Sequence, residues 1–139
     1  MALVEKLSQS HCRTGKHQTY VKGLFADAKN RTLIRHAFQQ IDEYMNGPKV
    51  DVLVHAAGVP GVLVPLDSVP DSFFDSKKNE ALNNNLWGAM ITAHEALDYW
   101  NISSTSVPSN NVPVIIHLSS EDGMVASPVA LYAASKAGK

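Results

Sequence analysis

Hydrophobic residues recur at two different periods along this 139-residue chain. In segments 31–45 and 78–100, apolar residues return every three or four positions, which predicts two amphipathic helices. In segments 50–55 and 112–118, apolar residues follow one another directly, which is typical of short strands buried on both faces of a parallel sheet. A looser alternation predicts a further strand over 18–27, ending near its aspartate.

Turn and capping residues mark the ends of these elements. Asn30 precedes the first helix, where its side chain can accept a hydrogen bond from a free backbone N–H. The Asn-Gly-Pro sequence at 46–48 predicts a left-handed C-cap and a proline stop. Residues 2–8 are typical of the tail of a helix, and a closing helix is expected to begin near Leu131. Residues 59–78 contain three prolines, which predicts a loop with one helical turn.

The order of these elements favours an α/β fold. Strands that alternate with helices build a parallel sheet with helices on its faces. A chain of 139 residues is long enough for one domain at most. We therefore expect a doubly wound sheet or part of one.

Composition narrows the class of partner. The chain is 45% apolar and 18% charged, with a formal net charge of −1, so its electrostatics favour neither nucleic acid nor an anionic membrane. No apolar run approaches the roughly 20 residues of a membrane span, and glutamate and lysine interrupt the N-terminal segment where a signal peptide is apolar. The six histidines lack metal-site spacing, so no metal is expected. The single Cys12 cannot form an internal disulfide, and a cytoplasmic location is expected.

Small and polar residues follow the predicted strands, at the edge where ligands of such sheets bind. The series comprises Asp27, H-A-A-G at 55–58, N-L-W-G at 85–88, L-S-S-E-D-G at 118–123 and Y-A-A-S-K at 132–136. In this order, over nearly the whole chain, the series resembles the short-chain dehydrogenase/reductase family. The resemblance implies a Rossmann-type fold, NAD or NADP as cofactor, and a small carbonyl compound or secondary alcohol as substrate. It also implies a homo-oligomer for a full-length parent.

The spacing of Tyr132 and Lys136 suits proton transfer. Residues four apart share one face of a helix. A free phenol titrates near about pH 10, and a neighbouring cation favours its ionised form, so the hydroxyl can exchange a proton with an alcohol or carbonyl. The resemblance implies that Lys136 also binds the nicotinamide ribose and that Asn85 holds a water in the proton relay. A serine hydroxyl would donate to the carbonyl oxygen as charge grows on it.

Two serines compete for that role. The family's usual distance of thirteen residues before the tyrosine selects Ser119, whereas its usual glycine three residues after the serine selects Ser120 through Gly123. A deletion of one residue in the loop 121–131 reconciles the two in favour of Ser120, which we prefer. Ser119 is then expected to face the sheet as a small strand residue.

The cofactor-binding residues implied by the resemblance are Asp27, His55, Ala57 and Gly58, together with Tyr132 and Lys136. Asp27 would bind the adenine, although an aspartate three residues before Asn30 can instead cap the helix. His55 stands where the family usually has asparagine, and it can still make one hydrogen bond. Ala57 and Gly58 are small enough for their backbone to approach the cofactor ribose.

The family's phosphate-binding turn, TGxxxGxG, matches none of the eight glycines. The 139 residues are therefore expected to form a single incomplete domain that lacks the first two and the last strands of the sheet. The strand at 18–27 would then have no native neighbour, and the chain alone is expected to be inactive. The alternative is a non-catalytic remnant that acts, if at all, as a binding or dimerisation partner.

Overall fold

The computed structural model describes residues 13–14, 17–18, 22–46, 50–74, 79–104, 112–125 and 127–139. Its strands and helices are β1 Arg13–Thr14, β2 His17–Gln18, α1 Arg31–Met45, β3 Val52–His55, α2 Gly88–Ser104, β4 Val114–His117 and α3 Ala130–Ala137. A π-helical segment, Leu82–Trp87, leads directly into α2. The expected helix at 2–8 lies outside the described residues. Within those residues, none of the helices is both long and apolar enough to cross a membrane.

The strands β3 and β4 pair in parallel. Val52 lies opposite Val114, and the register continues to His55 opposite His117. Parallel neighbours need a crossover connection, and α2 lies within the segment that connects them. The paired strands and their flanking helices confirm the predicted fold class, a partial doubly wound α/β fold.

The caps predicted for α1 are present. The Asn30 side chain accepts a hydrogen bond of 3.2 Å from the backbone N–H of Leu33. At the other end, Asn46 takes a left-handed conformation with φ of 56°, and its N–H bonds the Asp42 carbonyl. The sequence therefore placed both ends of this helix correctly, because each is determined by local side-chain and backbone chemistry.

A small core lies between the two long helices and one face of the sheet. Ile34 and Phe38 of α1 pack with Ala96 of α2, and Leu53 of β3 packs against this cluster. The ring of Phe38 also stacks on Tyr99, with centroids 4.8 Å apart. These contacts fix α1 and α2 relative to β3 and so position the strand ends.

The opposite face of the sheet is half exposed. The exposed fractions are 51% for Val52, 54% for Val54, 45% for Val114 and 46% for Ile116. The prediction that these strands are buried on both faces is therefore wrong for one face in the described structure. An apolar run indicates that both faces of a strand would be stabilised by burial. Whether each face is buried depends on which elements pack against it.

The predicted strand at 18–27 is wrong over residues 22–27, which have no regular secondary structure. Gln18 belongs to β2, whose two residues pair with β1 in antiparallel fashion. Residues 19–21 lie outside the described residues. An extended segment becomes a strand only when a neighbour supplies hydrogen bonds, and among the described residues none pairs with 22–27.

The loop after β3 contains two 3₁₀ turns rather than one helical turn. They span Leu66–Ser68 and Asp71–Phe73, and a proline, Pro65 or Pro70, precedes each. Proline fixes φ near −65°, a value that suits entry into such turns, so the proline spacing sets where they begin.

Candidate cofactor and catalytic site

Three distant parts of the chain meet beyond the carboxyl end of β3. A Cβ built on Gly58 would lie 3.1 Å from Oδ1 of Asn85 and 3.3 Å from Nζ of Lys136. Gly58 follows β3, Asn85 lies in the π-helical segment, and Lys136 lies in α3. The fold thus brings together three of the residues that the sequence singled out, and the missing Cβ keeps space beside the lysine amine.

Asn85 is completely buried, and both its amide protons and its carbonyl oxygen are hydrogen-bonded. Its Oδ1 accepts a hydrogen bond of 2.7 Å from the backbone N–H of Val59. Its Nδ2 donates to the Val59 carbonyl at 2.9 Å and to Oγ of Ser135 at 2.8 Å. The side chain therefore joins the loop after β3 to α3. π-Helical turns occur frequently at functional sites.

Ser135 is also completely buried, and it links Asn85 to the backbone of the candidate catalytic tyrosine. Its hydroxyl donates to the Tyr132 carbonyl at 2.7 Å. Sequence reasoning missed this residue. A serine three residues after Tyr132 in a predicted helix was the available signal, because helical serines often bond the carbonyl one turn back.

Lys136 lies with its amine between a strand end and the tyrosine ring. The side chain is buried, and Nζ donates to the Leu118 carbonyl at 3.3 Å. Nζ also lies 5.6 Å from the centroid of the Tyr132 ring, within the range of a cation–π contact. The shared helix face expected for these two residues is therefore present.

A second amine, which sequence reasoning did not single out, reaches the same strand ends. Nζ of Lys139 donates to the carbonyls of Ala57 and Leu118, each at 3.2 Å. Burial, and then the nearby charge of Lys136, lower the pKa of Lys139 to about 8. Two lysines thus bring positive charge to the edge of the sheet where a cofactor is expected.

Two histidines face each other across the paired strands. The rings of His55 and His117 have centroids 5.7 Å apart. Within the described residues, His55 Nε2 and His117 Nδ1 are buried and have no hydrogen-bond partner. Burial, with Lys139 as the next cause, lowers the pKa of His117 and lowers that of His55 to about 4. Both imidazoles are therefore neutral near pH 7, and contact of His55 with a cofactor stays a prediction.

The two candidate serines have different surroundings. The Ser119 hydroxyl donates to the Lys136 carbonyl at 2.6 Å. The expectation that Ser119 faces the sheet as a strand residue is wrong, because Ser119 lies beyond the end of β4 and bonds α3. The Ser120 hydroxyl accepts a bond of 3.3 Å from the N–H of Asp122 and caps a 3₁₀ turn, Glu121–Gly123. Its choice as the catalytic serine stays a prediction.

Asp27 closes the turn that leads into α1. Its Oδ1 accepts from the N–H of Lys29 at 2.9 Å, and its carbonyl accepts from the N–H of Asn30 at 2.8 Å. The alternative, in which Asp27 caps the helix, is wrong in this respect: the side chain that caps α1 is that of Asn30, and Asp27 caps the preceding turn. Nζ of Lys29 donates to Oδ1 of Asn84 at 2.9 Å and so ties the turn to the π-helical segment. Adenine binding by Asp27 stays a prediction.

A charged cluster where α2 meets α1 offers three potential metal ligands. His94, Glu95 and Asp98 each place one ligand atom within 4.8 Å of the others. However, the buried Glu95 carboxylate is hydrogen-bonded by both Arg31 and Arg35 of α1. Burial raises the pKa of Glu95, but the two arginines outweigh it and hold that pKa below its usual range. The cluster therefore acts as an ionic link between α1 and α2.

The parallel strands, the helical crossover and the polar groups beyond the strand ends define part of a Rossmann-type α/β protein. A family model described as short chain dehydrogenase matches residues 2–139. The chain therefore belongs to the short-chain dehydrogenase family. A comparison with curated proteins found no match.

Several solved structures share the fold. A short chain dehydrogenase from Mycobacterium smegmatis aligns with a TM-score of 0.70 and 26% identity, over 87% of this chain and 45% of that one. ElxO with NADP bound aligns with a TM-score of 0.64 and 22% identity, over 81% of this chain and 41% of that one. The structure of gox2181 aligns with a TM-score of 0.61 and 23% identity, over 81% of this chain and 40% of that one. The last two likenesses show the fold alone, and the chain spans less than half the length of each of these structures.

Proposed function

We propose that this chain carries the catalytic segment of an NAD(P)-dependent oxidoreductase. The reaction is hydride transfer between nicotinamide and a carbonyl compound or secondary alcohol. The observation that carries the proposal is the convergence of Gly58, Asn85 and Lys136 beyond the strand ends, with the Tyr132 ring beside the lysine amine. Membership of the short-chain dehydrogenase family supports the same chemistry.

The residues beyond the strand ends fit a nicotinamide nucleotide. The bare Cα of Gly58 leaves room beside the Lys136 amine, where ribose hydroxyls can accept hydrogen bonds. Ala57 contributes backbone rather than a bulky side chain, and two residues before it lies His55, at the position where the family usually has asparagine. The bound cofactor supplies or accepts the hydride. No glycine-rich turn for its pyrophosphate occurs among these 139 residues, so this chain alone is expected to be inactive.

Proton transfer falls to Tyr132. When a carbonyl is reduced, the Tyr132 hydroxyl gives its proton to the carbonyl oxygen, and the Lys136 ammonium stabilises the phenolate that remains. The Ser120 hydroxyl donates a hydrogen bond to the same oxygen as negative charge grows on it. Asn85 holds the loop after β3 against α3 through Val59 and Ser135. Its further role with a relay water is part of the proposal.

Substitution of Tyr132 by Phe tests the proposal. The protein to use is the longest product of the reading frame that encodes this chain, assayed with NADH and NADPH and a panel of ketones and aldehydes. The variant keeps the ring and loses only the hydroxyl, so kcat should fall by at least about 10²–10⁴-fold while cofactor binding changes little. Tyr44→Phe, at an exposed position on α1, is the matched control and should keep the parental kcat. A Tyr132→Phe kcat within a few-fold of the parent would show that the catalytic assignment is wrong.

A second candidate function is a non-catalytic binding or dimerisation partner. The half-exposed apolar face formed by Val52, Val54, Val114 and Ile116 favours it, since contiguous apolar surface commonly marks an interaction site. Under this alternative, the parental protein would oxidise neither NADH nor NADPH with any substrate in the panel. The activity assay therefore separates the two candidates.

A further inference from the structure

The two most enclosed polar side chains of the described structure, Asn85 and Ser135, are bonded to each other. Both have an exposed fraction of 0%, and they lie 50 residues apart in the sequence. A buried contact between polar groups is retained only when each group finds its partners, because an unmet donor or acceptor is costly away from water. The contact is therefore a specific feature of the site.

The direction of the hydrogen bonds follows from the number of available protons. The Ser135 hydroxyl has one proton, which it donates to the Tyr132 carbonyl at 2.7 Å. It must then accept from Nδ2 of Asn85, at 2.8 Å. The other Nδ2 proton goes to the Val59 carbonyl, and Oδ1 accepts from the Val59 N–H. We call this series, from Val59 through Asn85 and Ser135 to Tyr132, the amide–hydroxyl chain.

The amide–hydroxyl chain links the loop beside Gly58 to the first turn of α3. Val59 follows Gly58 directly, and the chain ends on the backbone of Tyr132 itself. The Val59 bonds use a donor and an acceptor together, so the Asn85 amide cannot rotate by half a turn without losing both. Ser135 is the single link between this fixed amide and the tyrosine backbone in the series.

We propose that Ser135 is a positioning residue for Tyr132, which it holds at a set distance from the loop that receives the cofactor. This inference rests on the function proposed above. Without the Ser135 hydroxyl, one Nδ2 proton of Asn85 would lose its partner, and the Tyr132 backbone would lose its tie to Asn85. The ring would then sample positions away from the reacting carbonyl oxygen. A small displacement of a catalytic group lowers the reaction rate strongly.

The decisive variant is Ser135→Ala in the longest product of the reading frame, compared with Thr92→Val as a matched control. Thr92 is also buried, and its hydroxyl donates to a helix carbonyl, that of Gly88, at 2.7 Å. Both variants delete a buried hydroxyl that bonds a helix carbonyl, so both should lower the unfolding midpoint. Only Ser135→Ala should also lower kcat, by roughly 10- to 100-fold, with the cofactor KM within about threefold of the parent.

A spectroscopic measurement on the same proteins tests the chain of bonds without turnover. In the parent, both Nδ2 protons of Asn85 are bonded and buried, so their NMR signals should exchange slowly with water. Ser135→Ala should accelerate that exchange at Asn85, and Thr92→Val should leave it unchanged. Kinetics of folded Ser135→Ala that match those of Thr92→Val would overturn the positioning role. If the parent turns over no substrate, the proposed function is wrong, whatever the result for Ser135→Ala. If hydrogen exchange at Asn85 is the same in Ser135→Ala as in the parent, the inference is wrong, whether or not the parent is active.

Discussion

At the scale of single residues, the buried imidazole of His55 makes folding sensitive to acid. Burial, then the charges of Lys139, His117 and Lys136, lower its pKa to about 4. An unfolded histidine titrates near about 6.5, so the unfolded state binds the proton first as the pH falls. The stability contributed by neutral His55 is therefore present above about pH 6.5 and is lost progressively down to about pH 4.

Replacement of His55 by glutamine should remove this acid sensitivity. Between pH 7 and pH 5, linkage predicts that the parent loses about 2 kcal/mol of unfolding free energy through His55. His55→Gln should lose correspondingly less, whereas His36→Gln, at an exposed position on α1, should behave as the parent. Urea unfolding of the longest product at both pH values measures the difference. Equal losses in the parent and His55→Gln would contradict the neutral buried state.

Lys136 should affect binding as well as rate, because the proposal gives it two roles. Lys136→Ala removes the amine beside Gly58 and the cation beside the Tyr132 ring. We expect weaker binding of NADPH in a fluorescence titration and a kcat lowered by at least about 10²-fold. Lys22→Ala, at an exposed lysine outside the site, serves as the control. Parental cofactor affinity in Lys136→Ala would remove the ribose-binding role and leave only the effect on the tyrosine.

At the scale of elements, the turn after β4 touches the backbone of α3. A Cβ on Gly123 would lie 2.8 Å from the backbone N of Ala137 and 2.8 Å from the backbone C of Lys136, so a larger residue must push the helix away. Gly123→Ala should therefore lower the unfolding free energy by about 1–3 kcal/mol and also lower kcat, since the same helix carries the candidate catalytic pair.

Gly88→Ala is the comparison for this substitution. Its Cβ would meet the Cβ of Ala28 at 3.2 Å, a milder overlap than the 2.8 Å approach of a Gly123 Cβ to the backbone of α3. Thermal unfolding of the two variants of the longest product measures the contrast. A Gly123→Ala protein as stable as the parent would show that α3 does not rest on the turn in solution.

Elements set by local chemistry were predictable from the sequence, and elements set by distant partners were not. The apolar period and the caps gave the bounds of α1, and the apolar runs located β3 and β4. Residues 22–27 would form a strand only with a pairing partner, and the period of apolar residues does not show whether such a partner is present. The π-helical segment contains Asn85, whose side chain bonds Val59 and Ser135, 26 and 50 residues away, and the sequence pattern does not show such distant contacts.

The candidate site was predictable to a similar extent. The family resemblance named Gly58, Asn85 and Lys136, and the fold brings these three together. It did not name Ser135 or Lys139, since their roles follow from burial and from carbonyls exposed at strand ends. The spacing of Ser135 from Tyr132 predicts a local hydrogen bond, but it does not predict the contact with Asn85, which lies 50 residues away.

At the scale of the whole molecule, the half-exposed apolar sheet face determines how the 139-residue chain behaves alone. Four residues of this face are each close to half exposed, namely Val52, Val54, Val114 and Ile116. Leu118 extends the same face, with an exposed fraction of 48%. Contiguous apolar surface of this kind favours association in water. We expect the isolated chain to self-associate, or to unfold without the sharp transition of a well-packed domain.

Sedimentation velocity and thermal unfolding of the isolated chain test this expectation. Val54→Lys with Ile116→Glu places charge on the exposed face and should reduce association, whereas a pair of substitutions on the exposed side of α1, His36→Lys with Gln39→Glu, should not. A monodisperse monomer with a sharp and reversible transition would show that the chain is a self-sufficient fold, contrary to this interpretation.

Hydride transfer at the site beside Gly58, Tyr132 and Lys136 is the central chemical claim, and isotopic labelling tests it most directly. The longest product of the reading frame is incubated with a carbonyl panel and with NADH or NADPH that carries deuterium on the reactive nicotinamide carbon. The proposed function predicts an alcohol with deuterium on the carbon that bears the new hydroxyl, formed by the parent and strongly reduced in Tyr132→Phe. Alcohol without deuterium, or labelled alcohol formed equally by Tyr132→Phe, would contradict it.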